Sequence, residues 1–241
     1  MKLRLLPSIT LTLGLLAATS LGNYHVMQIE QVIGGVDGNS NAQAIQLRMR
    51  SAGQSVVTNG RLRAWDANGA NPILLLDIAS NVTNSAAGSN ILLTSLAFDT
   101  MMQNVPGYAK DFTLATTIPA SYLTGGRVTF EDNSGATIWW AVAWGSFTGA
   151  NTGSTQNDAD GNFGTPFASA LPANLRQGIR FTGAASALST TNSTDYAFTA
   201  NPATVRNNAG TSFVVAPEPG TAALLVTLGV GALAVARRRS R

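Results

Sequence analysis

Few residues in this chain are equipped for chemistry, and the best placed are Asp158-Ala159-Asp160-Gly161-Asn162. Alternating oxygen-bearing side chains in a glycine-bearing loop can surround Ca²⁺. Only the first half of the helix-loop-helix calcium pattern is present, because Phe163 stands where that pattern wants Gly and Ser169 where it wants a bidentate Glu. The expectation is no cofactor, with calcium at Asp158, Asp160 and Asn162 as the alternative. Two carboxylates could also serve glycoside hydrolysis, and Glu131-Asp132 or Asp158 with Asp160 are the available pairs. Neighbours on a strand point to opposite faces, however, which separates Glu131 from Asp132. The sole histidine, His25, lies near the start of the chain, a poor position for a Ser-His-Asp arrangement or a multi-histidine metal site. The absence of cysteine excludes disulfides, thiolate metal sites and cysteine nucleophiles. The expected protein is not an enzyme.

Trp139, Trp140 and Trp144 are the aromatic feature that could contact a sugar. Strand alternation puts Ile138, Trp140, Val142 and Trp144 on one face and Trp139, Ala141 and Ala143 on the other. The first set has the character of a core. Trp139 is the possible ligand contact, with a covered sheet face as the plainer alternative.

The elements that would position these groups are short strands. Residues 42–50 alternate, with Ile45, Leu47 and Met49 facing one way and Gln46, Arg48 and Arg50 the other. Further strands are expected at 27–32, 61–66, 73–78, 91–96, 111–116, 127–131 and 137–144, with shorter ones at 178–181 and 196–199. Asn68-Gly69 and Gly125-Gly126 mark turns. Residues 95–102 could form a helical turn, and Pro119 could begin another. Residues 145–164, rich in Gly, Ser, Thr, Asn and Asp, read as a long loop. Many short strands without a long amphipathic helix or an internal repeat predict an all-β fold, a single antiparallel β-sandwich or jelly-roll-like domain over 23–206. A flexible stalk is expected at 207–216.

The two ends carry a different pattern. Lys2 and Arg4 precede a mostly apolar stretch, and small residues follow at Ala18, Ser20 and Gly22. This is the layout of a secretory signal peptide over 1–22, to be removed by signal peptidase after passage through the general secretion machinery. At the other end Pro217-Glu218-Pro219 precedes an apolar run at 222–236 and then Arg237, Arg238, Arg239 and Arg241. Both prolines fix φ and lack an amide donor, so no helix runs through them and Glu218 sits in an extended, readable segment. The apolar run rises about 22 Å as a helix, short of the ~30 Å hydrocarbon core. The arginines favour a cytoplasmic terminus, with the body on the outer side.

Charge follows the same division. The chain has 15 basic and 12 acidic residues, a net of +3. Six of the basic residues (Lys2, Arg4, Arg237, Arg238, Arg239 and Arg241) but only Glu218 among the acids lie in the end segments, so the body holds 9 basic against 11 acidic residues, a net of −2. That balance gives no basic footprint for nucleic acid.

The ordered trio of Pro-Glu-Pro, apolar run and arginine cluster over 217–241 resembles the PEP-CTERM sorting signal of Gram-negative bacteria. The opening Met27-Gln28-Ile29-Glu30-Gln31-Val32-Ile33-Gly34-Gly35 also resembles exported bacterial proteins of no assigned activity. The first resemblance implies recognition of Pro217, Glu218 and Pro219 by an exosortase-type transpeptidase and a transient inner-membrane anchor ended by the arginines. It further implies a final place in the cell envelope or outside the cell, in association with exopolysaccharide and biofilm. The expected function is that of a non-enzymatic surface or matrix protein. A carbohydrate-binding module is the second hypothesis and a glycan-processing enzyme the third.

Overall fold

The computed structural model describes residues 24–187 and 189–216. The expected signal peptide at 1–22, the motif Pro217, Glu218 and Pro219, and Arg237, Arg238, Arg239 and Arg241 lie outside the described residues.

The described chain is mostly β-strand, in antiparallel and mixed sheets with few helices. In chain order the elements are β1 (Met27–Ile33), β2 (Ala44–Met49), β3 (Gly60–Trp65), β4 (Ile73–Asp77), β5 (Asn90–Thr94), α1 (Leu96–Met102), β6 (Phe112–Thr113), β7 (Gly125–Asp132), β8 (Ile138–Gly145), β9 (Ile179–Phe181), α2 (Asn192–Asp195), β10 (Tyr196–Phe198), β11 (Thr204–Arg206) and β12 (Ser212–Val214). A six-stranded sheet runs β10-β9-β1-β2-β5-β6 and a four-stranded sheet runs β4-β3-β7-β8. Among the described residues the pairings between these strands are antiparallel except β5 with β6. Ser95 starts α1 as expected of an N-cap, its side chain accepting from the Phe98 amide at 3.2 Å. Of the strand expected at 111–116 only Phe112–Thr113 forms.

Alternation explains which side chains meet. Met27, Ile29 and Val32 of β1, Ile45, Leu47 and Met49 of β2, and Ile91 and Leu93 of β5 share one apolar cluster with Leu62 and Ala64 of β3, Val128 and Phe130 of β7, and Trp140, Val142 and Trp144 of β8. One hydrophobic cluster thus draws on both sheets, and its burial supplies the main driving force for folding.

The other face of the six-stranded sheet is also covered. Ile33, Ala44 and Leu92 pack with Phe98 and Met102 of α1 and with Val205 and Phe213 of the β11–β12 hairpin. Here the expected stalk at 207–216 is corrected. Thr204 pairs with Val214, Val205 with Phe213 and Arg206 with Ser212, and Phe213 and Val215 are buried, so this stretch completes the packed body. Its polar composition hides a two-residue apolar anchor, Phe213 and Val215, which packs with Val205 of its own hairpin and with the sheet and α1 beneath it.

Two one-residue irregularities break the alternation. In β1 the register passes from Ile29↔Leu47 to Gln31↔Gln46, leaving Glu30 as the extra residue. In β8 it passes from Phe130↔Trp140 to Glu131↔Ile138, leaving Trp139 extra. A bulge re-aims the side chain it carries. The second bulge also takes Ile138 off the row of Trp140 and into register with Glu131, which corrects the strict alternation expected there.

Candidate functional site

Three groups of residues could do chemistry, and each depends on a different part of the fold. The loop between β8 and β9 positions the first. Its strand-free course is as expected, but its interior is packed, with Asn157, Asp158 and Phe163 buried. The Asp158 carboxylate is fully buried, and its Oδ2 accepts from the Thr190 amide at 2.9 Å and the Thr190 hydroxyl at 2.7 Å. Its Oδ1 is buried and receives no hydrogen-bond donor. Burial pushes the Asp158 carboxyl above its ordinary range, and the neighbouring Asp160 carboxylate pushes it further in the same direction. Asp160 is exposed and its Oδ1 accepts from the Asn162 amide at 2.9 Å, while Asn162 Oδ1 accepts from the Gly164 amide at 3.0 Å. Gly161 closes the turn at φ +62°, where a Cβ would stand 2.7 Å from the Gly153 carbonyl oxygen. The fold therefore brings Asp158 and Asp160 together and turns the Asn162 side chain toward the backbone. Among the described residues no three carboxylates or imidazoles converge, so a cation here would depend on these two carboxylates and on neutral oxygens.

The second group surrounds Trp139. Its ring is half-buried against the main cluster, with the Tyr24 ring edge-on at 6.1 Å and the His25 ring tilted over it at 5.2 Å. Burial holds the His25 imidazole below its ordinary pKa. Trp140 and Trp144 are fully buried. Across the same sheet, Glu131 is buried and bound by Arg61 Nε at 3.2 Å, Arg63 Nε at 2.7 Å and the Thr129 hydroxyl at 2.5 Å. Asp132 instead caps its turn, accepting from the Ser134 hydroxyl at 2.8 Å and the Ala136 amide at 3.1 Å. The pair that could have suggested acid–base catalysis is divided between an ion-pair cluster and a turn. Beside that cluster Arg63 and Arg127 lie over the Trp65 ring at 4.6 and 5.1 Å. Burial pushes the Arg127 pKa down to about 10.

The third group was not singled out from the sequence. On the outer face of the six-stranded sheet, a pocket of about 300 Å³ is lined by Glu30, Gln46, Arg48, Asn90, Arg180 and Arg206, with Thr204 and Ser212 among its neighbours. Glu30 is held by Arg180 Nη2 at 2.6 Å, by Gln46 Nε2 at 2.9 Å and by the Asn90 amide. Gln46 Oε1 in turn accepts from the Arg206 amide at 2.5 Å. The polar row Gln46, Arg48 was legible as the outward face of β2. The convergence on it of Glu30, Arg180 and Arg206 was not, since it requires a bulge and two distant strands. No family model matches this chain, and no curated protein matches it.

Proposed function

We propose that this chain is an exported, non-enzymatic β-sandwich protein of the cell surface or extracellular matrix, sorted through its C-terminal signal and associated with exopolysaccharide. The carrying observation is the order Pro217-Glu218-Pro219, apolar run, Arg237-Arg238-Arg239-Ser240-Arg241, together with the secretory layout of the first 22 residues. The sandwich reading is supported by the single apolar cluster that draws on both sheets. The non-catalytic reading is supported by the engagement of Glu131 with two arginines and of Asp132 with a turn. Its partners are signal peptidase, an exosortase-type transpeptidase and an extracellular polysaccharide.

The test is expression of the full chain in an exosortase-bearing host, with and without Glu218→Ala, followed by intact mass. The native chain should lose both ends and the variant should keep its tail. A native chain still ending at Arg241 would instead make the tail a permanent anchor and remove the sorting assignment.

A second reading, calcium at Asp158 and Asp160, is favoured by one observation: a fully buried carboxylate oxygen without a donor beside a second carboxylate. Calcium at 100-fold above its Kd should add about 2.7 kcal/mol, or roughly 5–10 °C in Tm for a domain of this size. Asp160→Ala should remove that increase. A native Tm indifferent to calcium disposes of the site.

A further inference from the structure

The pocket on the outer face of the six-stranded sheet is charged against the balance of the molecule. The body carries a net of −2, yet three of its nine cations, Arg48, Arg180 and Arg206, surround a single carboxylate, Glu30. Glu30 is pinned at the floor with its side chain 5 % exposed, and three donors already occupy it. Arg48 is different. Among the described residues its guanidinium has no ion-pair or hydrogen-bond partner, although it stands half-buried in the wall of the pocket. Arg206 donates from Nε to the Gly210 carbonyl at 2.9 Å and has no carboxylate partner among the described residues. The donors left over are therefore guanidinium groups, whose planar fork matches a carboxylate.

A second observation lies on the same face. Gln28 pairs in register with Arg48, and Gln31 pairs with Gln46 and with Arg180. Both glutamines are essentially unexposed, and neither their amide nitrogens nor their amide oxygens have a partner. Buried amides are nearly always satisfied; neither glutamine lines the pocket, but their register neighbours Arg48, Gln46 and Arg180 do, so the strands that carry the pocket hold more polar groups than the described residues pair.

We propose that this pocket binds an acidic sugar unit, its carboxylate held by Arg48 and Arg206 and its hydroxyls by the polar side chains around them. A volume near 300 Å³ is at the small end of the roughly 300–1,000 Å³ of small-molecule sites, which suits one monosaccharide rather than a longer segment. The lining contains no aromatic or aliphatic side chain, so an apolar ligand would gain nothing there. Thr204 and Ser212 add hydroxyl donors at the rim, suited to a polyol. The choice of a sugar rests on the matrix reading above, whereas the requirement for an anion rests on the arginines alone.

Calorimetric titration of the full chain with glucuronate, galacturonate, glucose and inorganic phosphate tests the assignment. One of the two uronates should bind, with glucose and phosphate weaker by at least about tenfold, and Arg48→Ala should weaken the uronate at least about tenfold with little change in Tm, since among the described residues the Arg48 guanidinium makes no hydrogen bond or ion pair. Arg206→Ala, at an exposed position, should do the same and serves if the first variant is unstable. Equal binding of glucose would show that charge is not read, and equal binding of phosphate that the sugar is not. Either result overturns the proposal, as does an absence of uronate binding. A chain processed at both ends that binds no uronate leaves the matrix reading intact, and a chain that binds uronate but keeps Arg241 has the opposite meaning.

Discussion

Trp140→Ala should lower the unfolding free energy by about 3–5 kcal/mol, read as a shift in the midpoint of urea denaturation at constant slope. The indole is fully buried in the cluster that both sheets supply. Phe163 lies tilted at 5.4 Å, Phe181 edge-on at 5.9 Å, and the Arg50 guanidinium sits over the ring at 5.2 Å. Truncation removes the transfer energy of the ring and leaves a cavity that flanking strands cannot close without breaking their ladders. A polar term adds to this. Trp140 Nε1 donates to the Tyr196 hydroxyl at 2.9 Å, and that hydroxyl donates to the Ile29 carbonyl, so one hydrogen-bonded chain links β8, β10 and β1 across the core. Burial also pushes the Tyr196 phenol far above its ordinary pKa, which keeps it a donor at any physiological pH. Trp140→Phe, which keeps much of the volume and loses the donor, should cost less. A loss below about 1 kcal/mol for Trp140→Ala would contradict the packing described.

Glu131→Ala should cost about 2–4 kcal/mol. Removing one partner of a buried ion pair typically costs about 3–5 kcal/mol because the other charge is stranded. The reduction reflects the remaining arginines, whose side chains are 15 % and 18 % exposed and can recover some hydration. The Thr129 hydroxyl would lose its acceptor as well. If stranding is the cause, replacing the whole set, with Glu131→Leu, Arg61→Met and Arg63→Met together, should recover most of the loss. A triple variant as unstable as the single one would mean that the ion pairs contribute net stability, and chemical denaturation of the three proteins separates the cases.

Both results bear on how the sheets are used. The inner faces are devoted to packing, and most of the arginines stand on the outer faces. On the four-stranded sheet Arg61, Arg63 and Arg127 are engaged by Glu131, Trp65 and Phe147. The six-stranded sheet differs in that, among the described residues, the Arg48 guanidinium has no ion-pair or hydrogen-bond partner in its recess.

Much of this was legible in local order. The outward row Arg61, Arg63, Trp65 and the inward row Leu62, Ala64 follow from period-two alternation, as do Ile45, Leu47 and Met49 in β2, because a strand presents successive side chains to opposite faces whatever it packs against. The proposed secretory and sorting patterns are linear by nature, so their residues need no fold to be adjacent. The candidate pocket could not be read in this way. Glu30 meets Arg180 across 150 residues and Gln46 meets Arg206 across 160, distances over which sequence carries no pairing signal. Glu30 and Trp139 each occupy a one-residue bulge, and a single insertion inverts the face of every residue beyond it, so alternation alone misplaces them. The hairpin of β11 and β12 has too little apolar content to declare itself as structure, and it is held by the sheet surface it covers. Local periodicity thus set the class of fold and the inner faces, while the meeting of distant strands set the polar pocket, because only packing decides which outward residues become neighbours.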